Sequence, residues 1–183
     1  MKVLATQLPG VLLLEPRVFR DDRGCFLEVF HAGKYAEAGI PGHFVQDNLS
    51  RSVKGSLRGL HFQQPHGQGK LVQVLAGCVY DVVVDVRRGS PTFGQWMAME
   101  LSVDNRRQLW VPPGFAHGFC VLSESADFHY KCTDFYSPTS EHCIAWNDPD
   151  LGIPWPVKSP LLSPKDSAAP RLEDAPVLPD YMG

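Results

Sequence analysis

The chain has 183 residues, 44% of them apolar and 20% charged, which is globular composition and excludes wholesale disorder. Seventeen Lys and Arg against 20 Asp and Glu leave a net charge of −3, so neither a nucleic acid nor a membrane surface is expected as a partner. The longest early aliphatic run, Val11 to Leu14, is too short for a signal region or a membrane span, and the expectation is a cytoplasmic protein with one domain over 1–183.

In chain order, helix-like spacing occurs only around Lys34 to Ala38. From Lys70 onward the pattern has period two: Leu71 to Leu75, the pair Ala76-Gly77, then Cys78 to Val86, which reads as a hairpin. Arg88-Gly89-Ser90-Pro91 breaks the chain, Gln95 to Leu101 resumes it, and Asp104-Asn105 turns it. Arg107 to Val111, Phe115 to Leu122 and Ala126 to Tyr136 complete five or six short strand segments. Such a set predicts an all-β fold, an antiparallel jelly-roll sandwich or barrel with few helices. Eight of the 16 prolines fall in the last 35 residues, so the segment from Pro149 to Gly183 is expected to wrap the core as a tail with one short helical turn. Cys25, Cys78, Cys120, Cys132 and Cys143 include no Cys-x-x-Cys pair and read as buried free thiols.

Three polar residues mark a ligand site. Arg58 and His61 lie on one strand-like segment and Lys70 opens the next, a combination suited to an anionic or carbonyl-bearing ligand. Pro112-Pro113-Gly114-Phe115-Ala116-His117 resembles the second cupin motif, Pro-x-Gly-x-x-His, and supplies a further histidine. Metal-binding cupins carry His-x-His and a carboxylate in their first motif. Here the matching residues are His61-Phe62-Gln63 with no Glu following, so a closed metal site lacks two of its four ligands and no metal is expected. That leaves His61 as a candidate base with a carboxylate behind it, for which Asp166, Asp81 and Asp85 are candidates. For Asp81 and Asp85 the expected arrangement is instead a cross-strand ion pair with an arginine. Tyr130 shares a strand face with Phe128 and Cys132, where it either packs with its hydroxyl satisfied or delivers a proton opposite a histidine.

Taken in order, Asp22-Arg23-Gly24 with Phe26 and Glu28, Gln46-Asp47-Asn48, Leu57 to Phe62, Asp81 to Asp85, Gly89 to Gly94, Ala116 to Phe119 and Trp146-Asn147-Asp148 resemble the dTDP-4-dehydrorhamnose 3,5-epimerases, a cupin-fold family. The resemblance spans about residues 1 to 170. It implies epimerisation of dTDP-4-dehydro-6-deoxy-D-glucose at C3 and C5 without cofactor or metal, on the route to dTDP-L-rhamnose and cell-surface polysaccharide. It also implies His61 as base, Asp166 as its partner, Tyr130 as the acid on the opposite face and Lys70 as stabiliser of the enolate oxygen. Arg23 and Arg58 would pair with the diphosphate, Gln46, Asn48 and Glu28 would meet the nucleoside, Tyr136 would stack on thymine, and His117 would lie beside the sugar. A homodimer is implied, because the segment carrying Phe19, Arg23, Phe26 and Glu28 reaches the partner's site in this family. His66 in the Gln64 to Gly69 loop has no assigned role. Epimerases acting at C5 or C3 alone share the scaffold. A metal-dependent cupin using His61 and His117, or a non-catalytic sugar-nucleotide binding module, are the readings of other classes.

Overall fold

A computed structural model describes residues 1–182; the end of the predicted tail, Gly183, lies outside the described residues. Its elements are β1 (Lys2–Ala5), β2 (Leu12–Glu15), β3 (Val18–Asp21), β4 (Gly24–Leu27), α1 (Ala32–Glu37), β5 (Gln46–Val53), β6 (Leu57–Gln63) and β7 (Lys70–Ala76). There follow β8 (Cys78–Asp85), β9 (Trp96–Ser102), β10 (Gln108–Val111), β11 (Phe115–Val121), β12 (Ser125–Cys132), β13 (Glu141–Cys143) and α2 (Pro164–Ser167).

Two antiparallel sheets form the fold, one of six strands in the order β1-β2-β10-β7-β12-β5, the other of five in the order β13-β6-β11-β8-β9, and β3 and β4 make a separate hairpin. Val72, Val74, Val79, Val83, Leu101, Leu109, Phe115, Phe119 and Phe128 bury their side chains in one cluster drawn from both sheets. Each such aliphatic or aromatic side chain contributes about 1.5–3 kcal/mol when fully buried. β8 is buried on both faces, which accounts for its unbroken Val82-Val83-Val84 run. On its other face Val82 and Val84 join Leu60, Phe62 and Ala116 beneath Leu151, Leu172 and Ala175 of the tail. The proline-rich tail contributes these three residues and one short helical turn, α2. Leu14, Leu71 and Trp110 of the six-stranded sheet are covered by Tyr35 of α1 and by Ile40.

Two expectations need correction. The apparent hairpin across Ala76-Gly77 is not one: β7 pairs with β10 and β12, whereas β8 pairs with β11 and β9. Only Gly77 separates the strands, fewer than the two residues a hairpin turn needs, and at φ +79° it carries the chain from one sheet to the other. Cys25 and its four companions are all free thiols, but Cys25 is exposed and only Cys120 and Cys132 are fully buried. No helix among the described residues is long and apolar enough to cross a membrane.

Candidate active site

Residues from both sheets and from the tail, most of them polar, line a cleft of about 710 Å³. The five-stranded sheet contributes Arg58 and His61 from β6, His117 from β11 and Glu141 from β13. The six-stranded sheet contributes Lys70, Ser50, Phe128 and Tyr130, and Ser163, Lys165 and Asp166 come from the tail.

Arg58 and His61 are three residues apart, a spacing that puts side chains on opposite faces of a regular strand. A bulge resolves this: His61 pairs with His117, but Arg58 pairs with Phe119, so β6 carries one extra residue and Arg58 returns to the His61 face. Gly59 sits in the bulge at φ +124°. A Cβ there would lie 2.6 Å from Gly118 Cα and 2.7 Å from His117 O, so the two strands approach closely only because both positions are glycine. Arg58 Nε donates to Ser52 Oγ at 2.9 Å and leaves the rest of its guanidinium fork toward the cleft.

His61 Nε2 and Asp166 Oδ1 are 2.5 Å apart. Of the three candidate carboxylates, Asp166 is the one that lies beside His61. Ser163 caps α2 by accepting from Asp166 N and in turn donates to Asp166 Oδ2 at 2.8 Å, so both carboxylate oxygens are held. Burial works to raise the Asp166 carboxyl, but hydrogen bonds from His61 and Ser163 and the charges of His61 and Lys165 outweigh it and hold it below its usual value.

Asp81 instead stands behind the second histidine, with both carboxylate oxygens 2.9–3.0 Å from His117 Nε2. Asp85 meets Arg87, two residues along, and Ser90 and Thr92. The cross-strand arginine pairs expected for these two aspartates do not form. Burial raises the Asp81 carboxyl against the opposing pull of His117 and Lys70. It also lowers the Lys70 ammonium and raises the Tyr130 hydroxyl, which keeps that phenol protonated.

Among the described residues no group of three His, Cys, Asp or Glu is arranged to hold a metal ion. The donors themselves are committed elsewhere: each histidine Nε2 faces its own carboxylate. Gln63, where the first motif of metal cupins has histidine, donates to the His66 and Phe135 carbonyls and accepts from Ser137 N. The residues present do not fit a cupin metal centre.

Tyr136 borders the cleft, and its backbone N–H donates to Gln46 Oε1, while Gln46 Nε2 donates to Asn48 Oδ1. These three therefore adjoin one another as a group. Within one chain the structure does not bring Phe19, Arg23, Phe26 or Glu28 to the cleft. Phe19, Arg23 and Phe26 line a separate surface pocket on the β3–β4 hairpin, and Glu28 pairs with Lys34. Arg23 is 90% exposed, with only Asp21 of its own hairpin as a partner. His66 is exposed, 3.7 Å from Asp134. Glu141, Lys165 and Ser163 were not singled out by sequence. The last two adjoin Asp166, and the Ser-Pro-x-Asp cap signature was the available signal for Ser163.

Residues 5–174 match the dTDP-4-dehydrorhamnose 3,5-epimerase family. The chain belongs to that family. It is 56% identical over 181 residues to a dTDP-4-dehydrorhamnose 3,5-epimerase of Pseudomonas aeruginosa, covering 98% of this chain and 100% of the relative. A crystal structure of dTDP-6-deoxy-D-glucose-3,5-epimerase from Legionella pneumophila in complex with dTDP-4-keto-L-rhamnose superimposes with a TM-score of 0.96 at 55% identity, covering 100% and 99% of the two chains. The family also has a relative with narrower scope. A dTDP-4-dehydrorhamnose 3-epimerase of Streptomyces niveus is 42% identical over 186 residues, covering 99% of this chain and 90% of the relative.

Proposed function

We propose that the chain epimerises dTDP-4-dehydro-6-deoxy-D-glucose at C3 and C5 to dTDP-4-dehydro-L-rhamnose, through enolates of the C4 ketone. The observation that carries this reading is the division of the cleft between layers: the His61–Asp166 dyad belongs to β6 and the tail, whereas Lys70 and Tyr130 belong to the facing sheet. Inversion needs groups on both faces of a planar intermediate, because a single base returning its own proton restores the starting configuration.

In this mechanism His61 takes the proton from the carbon beside the ketone, and Asp166 fixes the ring's tautomer and stabilises the imidazolium formed. Lys70 donates to O4 as charge develops on it. Tyr130 returns a proton from the other face, and the resulting phenolate and imidazolium are reset from solvent before the second carbon reacts. His117 and Asp81 lie beside the sugar. Arg58 meets the diphosphate, a geometry suited to its fork, and Gln46, Asn48 and Tyr136 hold the nucleoside. Arg23, Phe19, Phe26 and Glu28 act on the partner's site in a homodimer, which is why they sit far from this chain's own cleft. The product serves rhamnose-containing surface polysaccharide, with the enzyme acting in the cytoplasm.

Proton NMR in deuterium oxide with chelator-treated protein tests the reading. Deuterium at both C3 and C5, trapped as dTDP-L-rhamnose when the following reductase is added, is the expected result. Incorporation at C3 alone would move the protein beside its Streptomyces niveus relative, and none at either carbon would leave a binding module.

A further inference from the structure

One carboxylate in the cleft wall joins two parts that the mechanism treats separately. Glu141 Oε2 accepts from Tyr136 Oη at 2.9 Å and lies 2.7 Å from Lys165 Nζ. Its side chain is only 17% exposed, whereas that of Lys165 is 46% exposed. Lys165 immediately precedes Asp166 on α2, and α2 is a four-residue turn with little structure of its own. Glu141 stands on β13 opposite Gln63, two positions from Cys143, which pairs with His61. The turn is thus pinned by adjacent residues to adjacent strands: Asp166 to His61 on β6, and Lys165 to Glu141 on β13. In the other direction the links run from Glu141 through Tyr136 to Gln46 and Asn48.

We propose that Glu141 is a positioning residue that ties Tyr136, at the nucleoside end, to the turn that aims Asp166 at His61. Holding Tyr136 in its bound orientation then also holds the base in alignment. The inference rests on the epimerase reading and adds to it a residue that touches neither the reacting carbons nor the enolate oxygen.

The test compares Glu141→Ala with Glu141→Gln by kcat for deuterium exchange and by calorimetric Kd for dTDP alone. Glu141→Ala removes both contacts and is expected to lower kcat and weaken dTDP binding by about tenfold each, the scale of a lost hydrogen bond to a charged group. Glu141→Gln keeps an acceptor for Tyr136 Oη but loses the charge that holds Lys165, so dTDP affinity should recover while kcat stays low. A residue that merely supports the fold would not separate the two readouts. The proposal is overturned if Glu141→Ala changes only the melting temperature, with kcat and Kd within about twofold of wild type. It is also overturned if the two variants are alike in both readouts. Should Glu141→Ala not fold, Glu141→Gln alone decides, with low kcat at near-normal Kd in favour and normal kcat against. Wild-type protein that incorporates no deuterium at either carbon would instead overturn the epimerase reading itself, so the two failures are distinct.

Discussion

Asp166 is buried and ionised, with both oxygens engaged, and that has consequences for rate and for stability. Asp166→Asn keeps the shape but loses the charge behind His61, so kcat for exchange should fall by at least about tenfold in stopped assays. Because the folded carboxyl lies below its ordinary value of 3.8, its contribution to stability is complete above that pH and is lost as pH falls through the lower folded value. Wild type should therefore lose melting temperature steeply below about pH 4, and Asp166→Asn should flatten that limb; an unchanged limb would show the dyad to be weak. The division of labour across the cleft is separately testable. His61→Ala should abolish exchange and product together, whereas Tyr130→Phe should retain part of the exchange and suppress inversion, and equal loss of both in Tyr130→Phe would count against its role as the opposing acid. His61, Lys70, Tyr130 and Arg58 were legible because each is a chemically distinctive residue on an inward strand position. Choosing among Asp166, Asp81 and Asp85 was not possible from the residues alone, since the chosen carboxylate is 105 residues from its histidine and reaches it only when the tail folds back.

At the level of elements, the strands read from sequence were those whose inward face is apolar. β5 was missed because its alternation is inverted: Gln46, Asn48, Ser50 and Ser52 take the more buried positions, with Ser50 lining the cleft, while Leu49 and Val53 face out at 63% and 57% exposure. β1 is exposed along its length, β3 and β4 nearly so, and β13 has three residues, so none carries a burial pattern to read. The β6 bulge also escaped notice, although Gly59 and Gly118 were its only visible signs. Gly59→Ala places a methyl group against Gly118 and the His117 carbonyl, and the strands must part or the bulge must shift. Overpacking of this kind costs roughly 1–3 kcal/mol, and the positive φ adds about 1 kcal/mol or more. Denaturant titration should register that loss. Activity should fall further than stability accounts for, because Arg58, His61 and His117 all take their register from this point. A variant with lower stability and normal kcat would mean that the bulge serves packing alone.

For the molecule as a whole, the proposed homodimer gives the β3–β4 hairpin its place of work. Phe19 and Phe26 are 49% and 69% exposed, and Arg23 extends into solvent with no contact to its own cleft. Aromatic side chains and a solvent-facing guanidinium, paired only with Asp21 of the same hairpin, have the composition of an interface that also recognises a phosphate. If the hairpin completes the partner's site, two inactive variants should complement each other. A dimer of one Arg23→Ala chain and one His61→Ala chain holds one site lacking both groups. Its other site has the intact His61 of the first chain and the intact Arg23 of the second. Random exchange of subunits makes half the dimers hybrid, so the mixture should recover about a quarter of wild-type sites, given a closed two-fold assembly. If Arg23 served the cleft of its own chain, every site in every dimer would lack one group and mixing would recover nothing. Light scattering on the same samples is expected to show a dimer, and a monomer with full activity would remove the hairpin from the mechanism altogether.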